Sequence, residues 1–206
     1  MRGRIIYFTL KRGLDILLSL LLLLLLSLPL AAISLAVRLS SEGEAIFKQT
    51  RVGRNGKPFV CFKVRTMYKT APPSVATSKL ALADRHITPI GRFLRRTSLD
   101  EIPQLFNVLR GDMSLVGPRP LIPEELDMHK GRQSLGVYRV RPGITGLAQI
   151  KGRDRLSDTE KLALDGEYVN KMSILLDVKI LFLTLFSVVR GKDIEEGARL
   201  GDFSGK

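Results

Sequence analysis

The residues best placed for chemistry are the adjacent carboxylates Asp100 and Glu101, in the stretch Arg95-Arg96-Thr97-Ser98-Leu99-Asp100-Glu101-Ile102-Pro103-Gln104. A purely structural role competes with a catalytic one. Ser98 and Glu101 have the spacing of a capping box, in which both acids would only support the start of a helix. A helix begun at Ser98, however, puts Pro103 where a backbone donor is needed, so a helix opening at Pro103 is the cleaner reading. Asp100 and Glu101 then stand just before a helix N-terminus, where the dipole and Arg95 or Arg96 favour the ionised form. An ionised carboxylate is a nucleophile or a ligand for a hard metal ion. Beside arginines it is also often no more than an ion pair.

Downstream, Gly117-Pro118-Arg119-Pro120 fixes an arginine between two prolines. Its backbone is extended in advance, and a planar guanidinium offers paired donors to phosphate oxygens, so Arg119 suits a phosphate clamp. Lys63, Arg65 and Arg141 add charge near turns or strand ends, although each taken singly also reads as a solvated surface charge. The chain has no Walker-type loop, no GxGxxG and no HExxH, which removes the familiar nucleotide and zinc signatures. His86 and His129 lack ligand-type neighbours. Cys61 is the single cysteine, which fits a reducing compartment and a small apolar role in a strand.

These residues need elements to hold them. Ile46 to Gly53 and Pro58 to Thr66 flank Arg54-Asn55-Gly56-Lys57, and Asn-Gly between β-rich segments predicts a hairpin. Lys69 to Ala83, with Pro72-Pro73, reads as a surface loop. Pro89 to Arg110 has helical periodicity and stops at Gly111, while Ser114 to Pro123 is extended by its prolines. Arg141-Pro142-Gly143 and Gly146 mark turns. Asp158 to Lys171 and Ser173 to Arg190 read as helices, the second with a broad apolar surface suited to the core or to a membrane interface.

The 206 residues suffice for one compact domain plus one membrane element. Thirty-three Lys and Arg against twenty Asp and Glu give a net charge of +13, which favours phosphates, anionic lipid or nucleic acid as partners. Ile16 to Val37 carries no charge and has the length of a membrane span. It is long for a signal peptide. Proline at position 29, just after Ser27-Leu28, predicts a bend, and basic residues flank the run on both sides: Arg2, Arg4, Lys11 and Arg12 before it, Arg38, Lys48, Arg51, Arg54 and Lys57 after it. A true span places one flank outside the cytoplasm, against the positive-inside tendency, whereas a helix that enters and leaves on one side satisfies both flanks.

Five segments together carry a family resemblance: Lys11-Arg12-x-x-Asp15, Phe62-Lys63-x-Arg65-Thr66-Met67, Thr97 to Leu105, Gly111 to Pro120, and Arg141 to Gly146. In order, and over nearly the whole chain, they resemble the bacterial sugar transferases. Within these they look most like the small monotopic polyprenyl-phosphate phosphoglycosyl transferases. The stretch Lys69 to Asp84 matches poorly, and the family's Ser-Pro break appears as Ser27-Leu28-Pro29.

The resemblance implies a mainly helical α+β fold: a re-entrant membrane helix over 1–40, then a cytoplasmic catalytic domain over 41–206 with a small β-hairpin and amphipathic interfacial helices. It places the protein on the cytoplasmic face of the bacterial inner membrane, against phospholipid. Asp100 is then the nucleophile on a UDP-sugar and polyprenyl phosphate the acceptor. Asp100 and Glu101 are the Mg²⁺ ligands. Arg119, Lys63, Arg65, Arg96 and Arg141 are candidates for substrate phosphate, Gln149 for sugar or uridine, and Ser27 and Pro29 for membrane re-entry. The short chain resembles members that use N-acetylated amino sugars. A homodimer is left open. A membrane-tethered nucleic-acid binder would explain the charge, yet aromatics are few and no reading module is present, so no nucleic acid is expected. A non-catalytic scaffold would keep the apolar elements and be indifferent to loss of Asp100.

Overall fold

A computed structural model of the chain describes residues 2–71, 83–152 and 155–190. Most of the surface loop expected over 69–83 lies outside them. The architecture is mainly helical, with one β-hairpin and a second, very short pair of parallel strands.

Helix α1, Arg2–Ser40, stays helical through Ser27 and Pro29. At 1.5 Å per residue its 39 residues span about 58 Å. Buried or half-buried positions recur three or four apart along it, at Arg12, Asp15, Ser19, Leu23, Leu26, Leu30, Ile33 and Val37. One stripe of the helix therefore faces the rest of the domain along most of its length. The opposite stripe leaves Leu17, Leu21, Leu24, Leu25, Leu28 and Leu35 more than half exposed. At the pair expected to bend the chain, the Ser27 hydroxyl donates to the Leu24 carbonyl at 2.8 Å, and Pro29 has no N–H to give its own turn. Leu26 and Leu30, on either side, both pack against the core.

Strands β1, Ile46–Val52, and β2, Pro58–Val64, form the expected antiparallel hairpin, with Asn55 and Gly56 both at positive φ in its turn. Phe47 stands opposite Lys63, Gln49 opposite Cys61 and Arg51 opposite Phe59. Opposed residues share a face and side chains alternate, so Gln49, Arg51, Cys61 and Lys63 project to one side of the hairpin.

After the four-residue helix α2, Ala83–His86, comes α3, Pro89–Arg96, capped by Thr88, whose hydroxyl accepts from the Gly91 amide. Helix α4, Gln104–Arg110, ends where Gly111 adopts φ 90°, a conformation that favours glycine. Strand β3, Ser114–Val116, follows at once. After α5, Leu126–Ser134, strand β4, Gly143–Thr145, runs parallel to β3. The segment 141–146, expected only to turn, thus also pairs. A Cβ on Gly143 would lie 2.1 Å from the Gly117 nitrogen, so the two motif segments approach as closely as backbones can. Short α6, Leu147–Lys151, leads to α7, Asp158–Lys171, which opens on a Ser157–Glu160 capping box, and to α8, Ile174–Arg190. Val108, Met113 and Ile180, all fully buried, join α4, the start of β3 and α8 in one core.

Candidate active site

The stretch around the two acids folds as a turn followed by a helix. Ser98 sits in the left-handed region at φ 56° and makes no capping bond with its side chain, so the capping box does not form. A 3-10 turn over Leu99–Glu101 then runs into α4 through Pro103, which takes the helical conformation where its missing donor costs nothing. Asp100 and Glu101 come to rest in this turn, both more than nine-tenths buried.

Two cations converge on Glu101. Lys63 Nζ is 2.9 Å and Arg119 Nη1 3.1 Å from the same oxygen, Oε1. Lys63 reaches it from β2 and Arg119 from the proline-fixed segment after β3, so three sequence-distant motifs meet at one carboxylate. The lysine's register is set by Asn107 on α4, which is fully buried. Its Oδ1 accepts from the Phe62 amide at 3.0 Å, and its Nδ2 donates to the Val60 carbonyl at 2.6 Å. One side chain thereby locks β2 to the helix that follows the acids.

The backbone at Arg119 and Pro120 is held by two other arginines. Arg132 Nη1 donates to the Arg119 carbonyl at 2.7 Å while its Nε and Nη2 hold Asp165 at 2.9 and 2.6 Å. Arg51 Nη1 donates to the Pro120 carbonyl at 2.9 Å. Burial, and then the charge of Arg119, pushes the Arg51 guanidinium down to about 10. It stays protonated at neutral pH, and an anion placed between the two arginines would relieve their repulsion.

Asp100, Glu101, Lys63 and Arg119 are therefore brought together. The other sequence candidates are placed elsewhere. Arg65 donates to the carbonyls of Val37, Ser41 and Glu42, closing the C-terminal end of α1. Arg96 is exposed in the last turn of α3, with no ion pair among the described residues. Arg141 Nε donates to the Gly111 carbonyl at 2.8 Å, and its charged neighbours are Arg12, Arg54 and Asp15. Gln149 donates to the Ile144 carbonyl at 2.9 Å, and its buried Oε1 has no partner among the described residues. Ser27 and Pro29 lie in mid-α1.

Sequence reasoning missed Arg51, Asn107, Arg132 and Asp165. The hairpin register carries a signal for the first: Arg51 stands on the face that also presents Cys61 and Lys63. The others, scattered over three helices, carry none.

Among the described residues no three His, Cys, Asp or Glu side chains gather as a metal site. Two adjacent carboxylates do match the way Mg²⁺ is commonly held, by one or two protein oxygens with substrate phosphates and water completing the shell. The cluster as a whole pairs acids that can attack or ligate with cations that can neutralise phosphate, an arrangement for phosphoryl transfer.

Residues 6–191 match the family model described as bacterial sugar transferase. The chain is 47% identical over 186 residues to the UDP-glucose:undecaprenyl-phosphate glucose-1-phosphate transferase of Escherichia coli, covering 86% of the chain and 39% of that protein. It is 44% identical to the undecaprenyl-phosphate glucose phosphotransferase of Komagataeibacter xylinus, covering 85% of the chain and 35% of that protein. The chain thus spans well under half the length of these two relatives. With an uncharacterized sugar transferase of Bacillus subtilis it shares 41% identity, over 91% of both chains. The chain belongs to the bacterial sugar transferase family.

Proposed function

We propose that the protein transfers a sugar 1-phosphate from a UDP-sugar to undecaprenyl phosphate at a membrane surface, releasing UMP. The observation that carries this reading is the convergence of Lys63 and Arg119 on Glu101, beside Asp100, in a chain whose relatives are named for that transfer.

In this reading an oxygen of the Asp100 carboxylate attacks the β-phosphorus of the donor. The bond from that phosphorus to the oxygen bridging the α-phosphate breaks, and UMP leaves with that oxygen. The sugar phosphate remains on Asp100 as an acyl phosphate. An oxygen of undecaprenyl phosphate then attacks the same phosphorus and restores the carboxylate. Splitting the transfer in two lets each bulky anionic substrate meet one nucleophile or one electrophile at a time. Arg119, with Arg51 behind it, offsets charge on the diphosphate, and Lys63 holds Glu101 in place beside the nucleophile. Asp100 and Glu101 would hold a Mg²⁺ ion, which supplies further neutralisation of phosphate charge when bound.

The membrane reading rests on α1 and α8. The α1 helix is long and apolar enough to cross a membrane, yet both ends of its apolar run touch the same domain: Asp15 Oδ1 accepts from the Leu115 amide at 3.0 Å, and Val37 packs with Val64 and Leu94. A helix flanked along its length by its own domain suits a place within one leaflet, with the exposed leucines toward lipid and both ends on the cytoplasmic side. Leu175, Val178, Phe182 and Leu185 of α8, all more than half exposed, add to that face.

The relatives' names give glucose, and in the relative from Salmonella typhimurium galactose, as the sugar. UDP-glucose and UDP-galactose therefore join the N-acetylated amino sugars in the donor panel. The purified protein, supplied with undecaprenyl phosphate, Mg²⁺ and each donor in turn, is expected to release UMP from at least one of them. Release should require acceptor for turnover and stop on chelation. Folded protein that releases UMP from none of these donors would count against the reading.

A further inference from the structure

A second cluster of cations lies at the other end of α4, built from motifs that the acids of the first do not use. Arg12 of α1 donates to the Val108 and Leu109 carbonyls at 2.6 and 2.9 Å, and Arg141 to the Gly111 carbonyl, so both guanidiniums gather at the C-terminus of that helix. Lys11, Arg54 and Arg139 line the same pocket. Against these five cations the pocket's only carboxylate among the described residues is Asp15, which is engaged with the Leu115 amide. Among the described residues Lys11 is the one of these cations paired to an acid, Asp177 at 2.8 Å. Arg54 and Arg139 are exposed and have no ion pair among the described residues.

Capping one helix end needs far less charge than this. The excess is felt inside the protein: burial, followed by repulsion from Arg12 and Arg54, pushes the Arg141 guanidinium below its ordinary range. A second observation points the same way. Ser114 lines the pocket and is 1% exposed, and its hydroxyl has no hydrogen-bond partner among the described residues. A buried hydroxyl left unpaired beside a cation cluster is a polar group that a water or a ligand oxygen would satisfy.

The rim identifies the kind of ligand. Tyr7, Phe8 and Met172 border the cations, and Ile5 and Ile6, both largely exposed, continue the apolar surface along α1. The enclosed space is about 20 Å³ and opens to the surface, so it admits a single phosphate oxygen while the rest of a headgroup lies outside it. We infer that the mouth of this pocket seats the phosphodiester headgroup of an anionic membrane lipid, with the phosphate against Arg141, Arg54, Arg139 and Ser114 and the acyl chains along the N-terminal turns of α1. Such a lipid would pin the start of the membrane helix and fix the height of α4, and with it of Asp100, relative to the headgroups. The inference rests on the membrane placement of α1 proposed above.

The test titrates the detergent-solubilised full chain with short-chain phosphatidylglycerol, short-chain phosphatidylcholine and inorganic phosphate. Phosphatidylglycerol is expected to bind about tenfold or more tighter than phosphatidylcholine, as several surface cations acting on one anionic headgroup require. Inorganic phosphate should not displace it. The pair Arg54→Gln with Arg139→Gln should bring the two lipids level, and Ser114→Ala should weaken phosphatidylglycerol about fivefold, the worth of one hydrogen bond. Lys48→Gln with Lys130→Gln removes the same charge from exposed positions elsewhere and should change neither. Equal binding of both lipids by the unmodified protein, an equal loss in the Lys48 and Lys130 pair, or full displacement by inorganic phosphate would overturn the inference. Sedimentation with phosphatidylcholine vesicles separates the underlying reading: failure there would remove the membrane placement, whereas binding there with no preference for phosphatidylglycerol would remove only the lipid site.

Discussion

Glu101 carries Lys63 and Arg119 on one oxygen, and this shared contact explains why an acid pair, rather than one acid, occupies the turn. In the proposed mechanism Glu101 positions the cations and Asp100 carries the chemistry. Both acids and the proline-fixed arginine were legible in the sequence because their types and local stiffness are unusual, whereas Lys63 was read by charge alone and its pairing with Glu101 was not legible. Arg65, Arg96 and Arg141 were read by charge alone, and charge does not say where a side chain goes: one closes α1, one is solvated, and one belongs to a different pocket. Arg51 was hidden for the converse reason, since its role depends on strand register and on burial. It leads to a prediction at this scale. Loss of a charged hydrogen bond and of a cation beside Arg119 costs about 1.5–3 kcal/mol, so Arg51→Gln should raise KM for the UDP-sugar roughly ten- to a hundredfold with a smaller change in kcat. Arg92→Gln, an exposed arginine on α3, serves as the charge control and should leave KM unchanged. Steady-state UMP release measures both.

Among the elements, the hairpin and the helices α3, α4, α7 and α8 were legible from turn residues, caps and apolar period. The parallel pairing of β3 with β4 was not, because two strands of three residues leave no period to read; it is fixed by the close approach of Gly117 and Gly143 instead. The Arg132–Asp165 pair shows how an element can act at a distance. It is almost fully buried, ties α5 to α7 and at the same time holds the Arg119 carbonyl. Asp165→Asn leaves a buried guanidinium without its counter-charge and is expected to lower stability by about 3–5 kcal/mol. The double substitution Arg132→Met with Asp165→Leu, which removes both charges and fills the space, should recover most of that stability. It should not recover activity, because the Arg119 carbonyl has lost its donor. Chemical denaturation and UMP release on the same three proteins check the two halves separately.

At the scale of the whole molecule, the short motif Lys11-Arg12-x-x-Asp15 joins the apolar helix to three other elements: Lys11 to Asp177 of α8, Arg12 to the end of α4, and Asp15 to β3. Asp177 also accepts from the hydroxyls of Tyr7 and Tyr168 at 2.9 and 2.8 Å, so a charge that looks out of place in an apolar helix is a buried anchor. Sequence period alone showed α1 to be apolar all round. It did not show which stripe meets the domain, since leucines occupy both. The proposed placement in one leaflet predicts that cysteines introduced for Leu10 and for Ser40 react with an impermeant reagent from the same side of sealed membranes, and the native Cys61, being buried, contributes little background. Reaction from opposite sides would restore a span. In the proposed function an apolar helix at the membrane surface, two basic pockets and a buried acid pair all serve one event, the capture of a sugar phosphate on Asp100. That event is tested most directly by intact-protein mass spectrometry after mixing with an active UDP-sugar in the absence of acceptor. Covalent capture on Asp100 predicts a mass gain of one sugar phosphate, mapped to that residue and discharged by undecaprenyl phosphate. It also predicts that Asp100→Asn neither gains that mass nor turns over, with a loss of at least about a thousandfold. Substantial turnover by folded Asp100→Asn protein, or a sugar phosphate carried on another residue, would contradict it.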